Sequence, residues 1–330
     1  MTSNSAYPCA HEWIISLTQQ EDEKQLDLIL ITALQTILFG CQLGVYISKF
    51  INEGLAPQQI YFGHDAIVLN QEQSLEYLNK VKKSKLHLHE TPENSNVAIP
   101  VYHFGKVIGF VIAKGAVVGD LAKITVAIHV LNIYANHLYL LYRSQLDPLT
   151  ELLNRQTFDL KLLEMITEQG YKKRRADYKE QRMWFFAMLD IDFFKSVNDN
   201  FGHMIGDEVL LLIARIIKNH FRSEDYIFRY GGEEFAILFQ CQQIAFAADM
   251  LEKLREKVAQ FNFPQVQHVT VSIGFTPLLQ FEMVPSLVQK ADQALYFSKS
   301  NGRDRVSNFT DIDPHTLLKH QYGHQEPELF

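Results

Sequence analysis

The sequence predicts a two-domain chain of mixed α/β (α+β) class, and three observations lead there. With 330 residues the chain is long enough to bury two hydrophobic cores. From residue 147 onward, segments of helical period alternate with short apolar runs of strand length, the pattern of an α/β domain built on a central sheet. Before residue 115 a separate helix-and-strand pattern closes on a hairpin signal, and a long apolar helix lies between the two.

Composition narrows the class. A hydrophobic content of 47% with 21% charged residues belongs to a globular, water-soluble chain. The net charge of −7 lacks the basic excess of a nucleic-acid binder, which sets nucleic acid aside as a partner but leaves a nucleotide open. Cys9, Cys41 and Cys241 are far apart, without metal-ligand spacing, and read as reduced thiols in a cytoplasmic protein. The opening MTSNSAYPCAHEW has neither the basic start nor the apolar block of a secretory signal.

Residues 28–47 carry no charge and reach the length that spans a bilayer. They also contain Thr32, Gln35, Thr36, Gly40, Gln42 and Gly44, so a buried helix, a glycine turn and a strand are expected instead of a membrane span. In chain order, residues 24–39 read as a helix and 44–48 and 59–62 as strands; a polar segment follows. Residues 97–104 and 107–113 form a hairpin joined at Gly105-Lys106. This first domain covers residues 1–118. His87 and His89 alternate in a possible strand without further spaced ligands, and Cys41 reads as core.

The positions Leu121, Ile124, Ile128, Leu131, Ala135, Leu138 and Tyr142 step by three and four. Such a seam fits a parallel dimer coil or an amphipathic helix lying on its own domain; the reading preferred here is a dimerising connector over 119–146. The second domain, 147–310, has strands expected at 184–189, 226–230, 234–239 and 269–275. Its helices are expected at 155–168, 207–220, 244–261 and 285–300. Residues 169–182, with the run KKRR, read as a solvated loop, and 311–330 as a tail.

The chemistry-bearing residues cluster in the second domain. The apolar run 184–189 is a buried strand ending at Asp190-Ile191-Asp192, where alternation sends both carboxylates to one face. Magnesium takes hard oxygen ligands, commonly one or two carboxylates plus substrate phosphates, so acids at a strand end suit a metal-bound nucleotide. Alone, a D-x-D is common on surfaces. GGEEF at 231–235 lies between two strand runs, and the Gly pair reads as a primed hairpin turn that lets a ligand approach the backbone. If that hairpin lies beside the Asp190 strand, Glu233 can complete the metal site and Glu234 can meet a sugar or reacting hydroxyl; an exposed acidic hairpin is the plainer alternative. Asn198 and Asp207 suit the edges of a guanine. Lys299 and Arg303, four apart around Gly302, make a triphosphate clamp or merely a capped helix end.

Together the segments DPLTELLNR (147–155), DIDFFKSVNDNFGHMIGDEVL (190–210), GGEEF (231–235), TVSIG (270–274) and ADQALYFSKSNGR (291–303) resemble the GGDEF domain of diguanylate cyclases. The resemblance covers about half the chain and implies a palm-like domain that condenses two GTP into cyclic di-GMP across a homodimer. It implies Asp190 and Glu233 as ligands of Mg²⁺ (or Mn²⁺), assisted by the Ile191 carbonyl. It further implies guanine recognition by Asn198 and Asp207, a ribose contact by Glu234, phosphate contacts by Lys195, Lys299 and Arg303, and Phe193 and Phe194 beside the substrate. Arg222 and Asp225 stand at the offset of the family's R-x-x-D product-inhibition site, and arginine can pair with the O6 and N7 edge of guanine.

Four positions depart from the family pattern. Glu151 replaces Gly, Glu234 replaces Asp, Ser298 replaces Ala and Asp304 replaces Asn. The first domain looks like a GAF sensor domain for an unidentified ligand or partner. The competing functional reading is a catalytically silent module that binds GTP or cyclic di-GMP.

Overall fold

The computed structural model describes residues 10–48, 57–83, 87–91, 94–115, 121–172, 182–279 and 283–313, and divides into two compact units, 1–144 and 145–330. Cys9, most of the tail expected at 311–330 and most of the loop expected at 169–182 lie outside the described residues.

The first unit runs α1 (Ala10–Thr18), α2 (Glu23–Ile37), β1 (Gln42–Ile47), β2 (Gln58–Gln59), α3 (Gln71–Lys83), β3 (His87–Thr91), β4 (Asn94–His103), β5 (Lys106–Lys114) and α4 (Leu121–Ser144). Its sheet has the order β2-β1-β5-β4-β3, antiparallel throughout. Alternation on β5 sends Val111 and Ala113 to a core shared with α1, α2 and α4, and Phe110 and Ile112 to one shared with α3. The segment 28–47 is thus α2 and β1, helix then strand. α3 falls in the stretch read as polar: it buries only Ser74, Leu78 and Val81, and Lys80, Lys82 and Lys83 keep its other face wet. The β4–β5 turn is Phe104-Gly105, one residue earlier than expected, and both residues have the positive φ (43° and 76°) of a primed turn.

The dimer-coil reading of residues 119–146 meets a competing use of the same side chains. Ile124, Leu131, Ala135 and Leu138 of the seam are buried in the first unit's core. Tyr134 Oη also donates to Asp27 on α2 at 2.6 Å. The seam is therefore largely spent within the chain, and α4 belongs to the first unit. By length and composition α4 is the one described helix that could cross a membrane; seven of its residues are buried inside this unit.

The second unit contains β6 (Leu153–Asn154), α5 (Arg155–Lys172), β7 (Met183–Ile191), α6 (Phe194–Phe201), α7 (His203–His220), β8 (Tyr226–Arg229), β9 (Glu234–Cys241), α8 (Ile244–Gln260), β10 (Val271–Pro277), α9 (Val284–Ser300) and β11 (Val306–Asn308), then a short 3-10 turn. The order β11-β10-β7-β9-β8-β6 is mixed: the outer pairs are parallel and the centre is antiparallel. Phe185, Ala187, Leu189 and Ile191 of β7 face α6, α7 and α8, while Phe186 and Met188 face α5 and α9. Gly274 of β10 permits this second contact, since a Cβ there would lie 2.0 Å from the Leu295 backbone nitrogen.

The chain enters the second unit through a tight turn in which Asp147 N–H donates to Leu152 O (2.7 Å) and Glu151 N–H to Asp147 O (3.0 Å). Glu151 sits there at φ 55°, where a side chain strains the backbone and glycine does not. Glu151→Gly is expected to stabilise the protein by about 1 kcal/mol, read as a higher urea midpoint. A lower midpoint would show that the glutamate's own contacts outweigh the strain.

Candidate active site

The end of β7 is where the acids gather. Asp190 pairs with Glu234 of β9 on one side and with Ser272 of β10 on the other, so Asp190 and Glu234 share the face turned toward α9. From α9, Lys299 Nζ reaches Asp190 Oδ2 at 2.7 Å. Asp190 is only 5% exposed. Burial raises its pKa, and the Lys299 ammonium opposes that shift. Glu233 and Glu234 are likewise raised, by burial first and then by the Asp190 charge. Ile191 lies between the acids, its N–H directed at Glu233 O (3.4 Å).

Like charges held together in a partly dry site call for a cation. Lys299 already meets part of that demand at Asp190, and hard carboxylate oxygens suit Mg²⁺ or Mn²⁺. Among the described residues no three His, Cys, Asp or Glu side chains form a closed metal cage. An ion here would draw on Asp190 and Glu233 and fill its remaining positions from backbone, water or a bound phosphate, the habit of magnesium.

Asp192 shares the strand's alternation with Asp190 but not its task. Its carboxylate accepts from Thr270 Oγ1 (2.7 Å), Ser272 Oγ (2.7 Å) and the Asp304 N–H (3.0 Å), so it staples β7, β10 and the turn after α9. Phe193 follows in the left-handed region (φ 57°) as the N-cap of α6, without a side-chain cap. The Ser196 and Val197 N–H groups of its first turn donate to Phe193 O, at 2.9 and 3.3 Å. The Arg303 guanidinium lies 4.4 Å from the centre of the exposed Phe193 ring, whereas Phe194 is buried in the core. Lys195 is exposed on α6. Asn198 and Asp207 come from α6 and α7, and Gly206 leaves room between them for the Asn198 carboxamide: a Cβ there would lie 2.0 Å from Asn198 Oδ1.

The Gly-Gly turn differs from the expected primed hairpin. Tyr230 to Glu233 form a four-residue connection, and neither Gly231 nor Gly232 has the positive φ a primed turn requires. Gly231 leaves room for the Glu234 carboxylate, since a Cβ there would lie 2.5 Å from Glu234 Oε2, while one on Gly232 meets nothing within 4 Å. The Gly232 carbonyl accepts from Arg229 Nε (3.3 Å) and Nη2 (2.9 Å), and the same guanidinium binds Asp147 at 3.1 Å. Burial pushes the Asp147 carboxyl up, but hydrogen bonds from Thr150 and Arg229 outweigh it and hold the pKa low. Arg229 was not singled out from sequence; its place two residues before the glycines, opposite an acid in DPLT, is the available signal. Arg155, stacked 4.6 Å over the Tyr230 ring, also borders Glu234.

Arg222 is exposed, and Asp225 accepts from the backbone N–H groups of Arg222 (3.0 Å) and Gln240 (3.2 Å), with its pKa raised by burial.

A family model described as "Diguanylate cyclase, GGDEF domain" matches residues 144–305. The diguanylate cyclase DgcP of Pseudomonas aeruginosa is 39% identical over 163 residues, which cover 48% of this chain and 23% of that protein. Diguanylate cyclase A of Treponema denticola is 37% identical over 180 residues, 52% of this chain and 46% of its own. The chain thus spans less than half the length of these curated relatives. A solved structure of the coiled coil and GGDEF domain of DgcB from Caulobacter crescentus, in complex with c-di-GMP, is 31% identical with a TM-score of 0.49, covering 58% of this chain and 97% of that one.

A carboxyl whose folded pKa is raised binds its proton more tightly in the folded state, so its contribution to stability is lost as pH rises from the ordinary carboxylate range through the raised value. In chelator-containing buffer, Glu233→Gln is therefore expected to melt higher than wild type, by a margin that widens across that window and narrows when Mg²⁺ is added. A margin independent of pH would dissolve the coupled acid site.

Proposed function

We propose, on the premise that residues 144–305 belong to the GGDEF domain family, that this chain is a diguanylate cyclase that joins two GTP into cyclic di-GMP and releases two pyrophosphates. The observation that carries this reading is the convergence of Asp190, Glu233 and Glu234 at one strand end, beside Lys299.

In this reading Asp190 and Glu233, with the Ile191 carbonyl, hold Mg²⁺ or Mn²⁺. When bound, the ion supplies positive charge to the triphosphate and to the leaving pyrophosphate. The chain's own groups do the rest. Asn198 and Asp207 fix the guanine edge, with Asp207 favouring a guanine over another purine. The N-terminus of α6, beside the exposed Phe193, and the cations Lys195, Lys299 and Arg303 receive the phosphates, while Phe194, expected beside the substrate, is spent in the core. Glu234 stands by the ribose, and the shift that burial and Asp190 give it makes it a better acceptor of the 3′-hydroxyl proton.

Each 3′-oxygen attacks the other nucleotide's α-phosphorus as the bond to pyrophosphate breaks. Two bonds form, so two domains must meet face to face and the working species is a homodimer. The first unit is read as a GAF-like sensor. Supporting it are the helix, strands, hairpin and exiting helix expected from sequence, now seen as an antiparallel β2-β1-β5-β4-β3 sheet with helices on both faces. Arg222 and Asp225 are read as the product's inhibitory site.

Incubating the full chain with GTP and Mg²⁺ is expected to yield cyclic di-GMP by mass spectrometry, with loss of all product in Asp190→Ala. Product that persists in Asp190→Ala refutes the metal assignment, and folded dimer that makes none favours the silent receptor. Arg222→Ala should raise the product concentration needed for half-inhibition about tenfold, the scale of one lost guanine contact. An unchanged inhibition curve removes that site.

A further inference from the structure

Beyond Gly302, Arg303 and Asp304 have φ of 61° and 44°, two consecutive non-glycine residues in the left-handed region. Such residues persist only where their surroundings over-determine them. Two contacts do so at Asp304. Its N–H donates to Asp192 Oδ2 at 3.0 Å, and its carboxylate receives Arg255 Nη1 of α8 at 2.6 Å. Arg255 is itself aimed: Nε and Nη2 both donate to Glu252 Oε1, at 2.8 and 2.6 Å, which turns Nη1 toward Asp304. The Arg255 side chain is 15% exposed.

The residue type at 304 gives this arrangement its meaning. Asparagine, usual at this place in the family that the sequence resembles, accepts left-handed backbone readily and without charge. Aspartate accepts it too, but it brings a second carboxylate to the residue that is already bonded to the buried Asp192. Arg255 gives that carboxylate, whose side chain is 40% exposed, its charged partner. The residue held next to that pair is Arg303, whose guanidinium sits over Phe193 at the start of α6.

We propose that Arg255 is a positioning residue: through Asp304 it fixes the left-handed turn that presents Arg303 to the phosphates of a nucleotide. This rests on the phosphate-facing reading of Arg303 given above. Lys299 lies within α9, ahead of the turn, so losing Arg255 acts through Arg303 and scales with the phosphates carried, not with the base.

The test uses the full chain with Arg255→Ala, Asp304→Asn and the two combined. Without nucleotide, amide exchange across 302–305 is expected to accelerate in Arg255→Ala and to return toward wild type when Asp304→Asn is added, because the uncompensated charge is then gone. Affinity for a non-hydrolysable GTP analogue is expected to fall about tenfold in Arg255→Ala and to recover in the double variant, while guanosine binding stays within about twofold. Unchanged exchange, equal losses for analogue and guanosine, or a loss that Asp304→Asn does not relieve would each overturn the proposal. Wild-type protein that binds no GTP analogue, while exchange still responds and recovers, would sink the nucleotide reading and leave the turn-fixing role of Arg255 standing.

Discussion

Three carboxylates at one end of a sheet are the constraint from which the second unit's geometry follows. Asp190 and Glu234 are cross-strand partners, and Glu233 precedes Glu234 in the turn, so covalent connectivity and strand register force negative charge together. Burial then makes each charge more costly, which is the first cause of all three raised pKa values. A fold with this arrangement needs positive charge at the same place. Lys299 provides one charge permanently, and α9 is held close enough to deliver it only because Gly274 lets that helix lie on β10. What a cation or a metal-bound nucleotide adds is relief of a repulsion built into the sheet.

The sequence was most informative where chemistry and periodicity agreed. The run before Asp190 was apolar on both faces, and such a run between helices is a central strand; GGEEF between two strand runs was a turn carrying acids. Less was legible where tertiary packing decides. α6 lies inside a motif of mixed polarity and is only eight residues long, so no period could announce it. β6 and β11, two and three residues long, exist because a neighbouring strand pairs with them. α3 was missed for its lysines. The division of labour between Asp190 and Asp192 was also invisible, since alternation gives both the same face and tertiary partners distinguish them: Lys299 at Asp190, and Thr270, Ser272 and the Asp304 N–H at Asp192.

The α4 seam shows why a period alone cannot name a partner. A three-four repeat specifies a stripe that must be covered, and it says nothing of what covers it. Here the stripe is covered by α1, α2 and the sheet of the same unit, with Tyr134 and His137 adding hydrogen bonds to Asp27 and the Gln20 carbonyl. Three heptads are few enough that a domain's own core can satisfy them.

Three of the departures from the family pattern have local physical consequences, and they differ in kind. Glu151 takes a left-handed backbone where glycine is at ease, and the cost is strain. Ser298 is fully buried, and its hydroxyl is satisfied by Ile273 O (2.9 Å) and Ser307 Oγ (2.7 Å), so a polar atom enters the core with its partners. Asp304 adds a charge, and Arg255 answers it from another helix. The strain at Glu151 sits four residues from Asp147, whose carboxylate holds Arg229, whose guanidinium in turn holds the Gly232 carbonyl beside Glu233. The entry turn and the acid cluster are therefore linked through a single side chain. Asp147 thus serves two structures at once: its carbonyl and N–H close the entry turn, and its carboxylate holds the guanidinium that caps the Gly232 carbonyl.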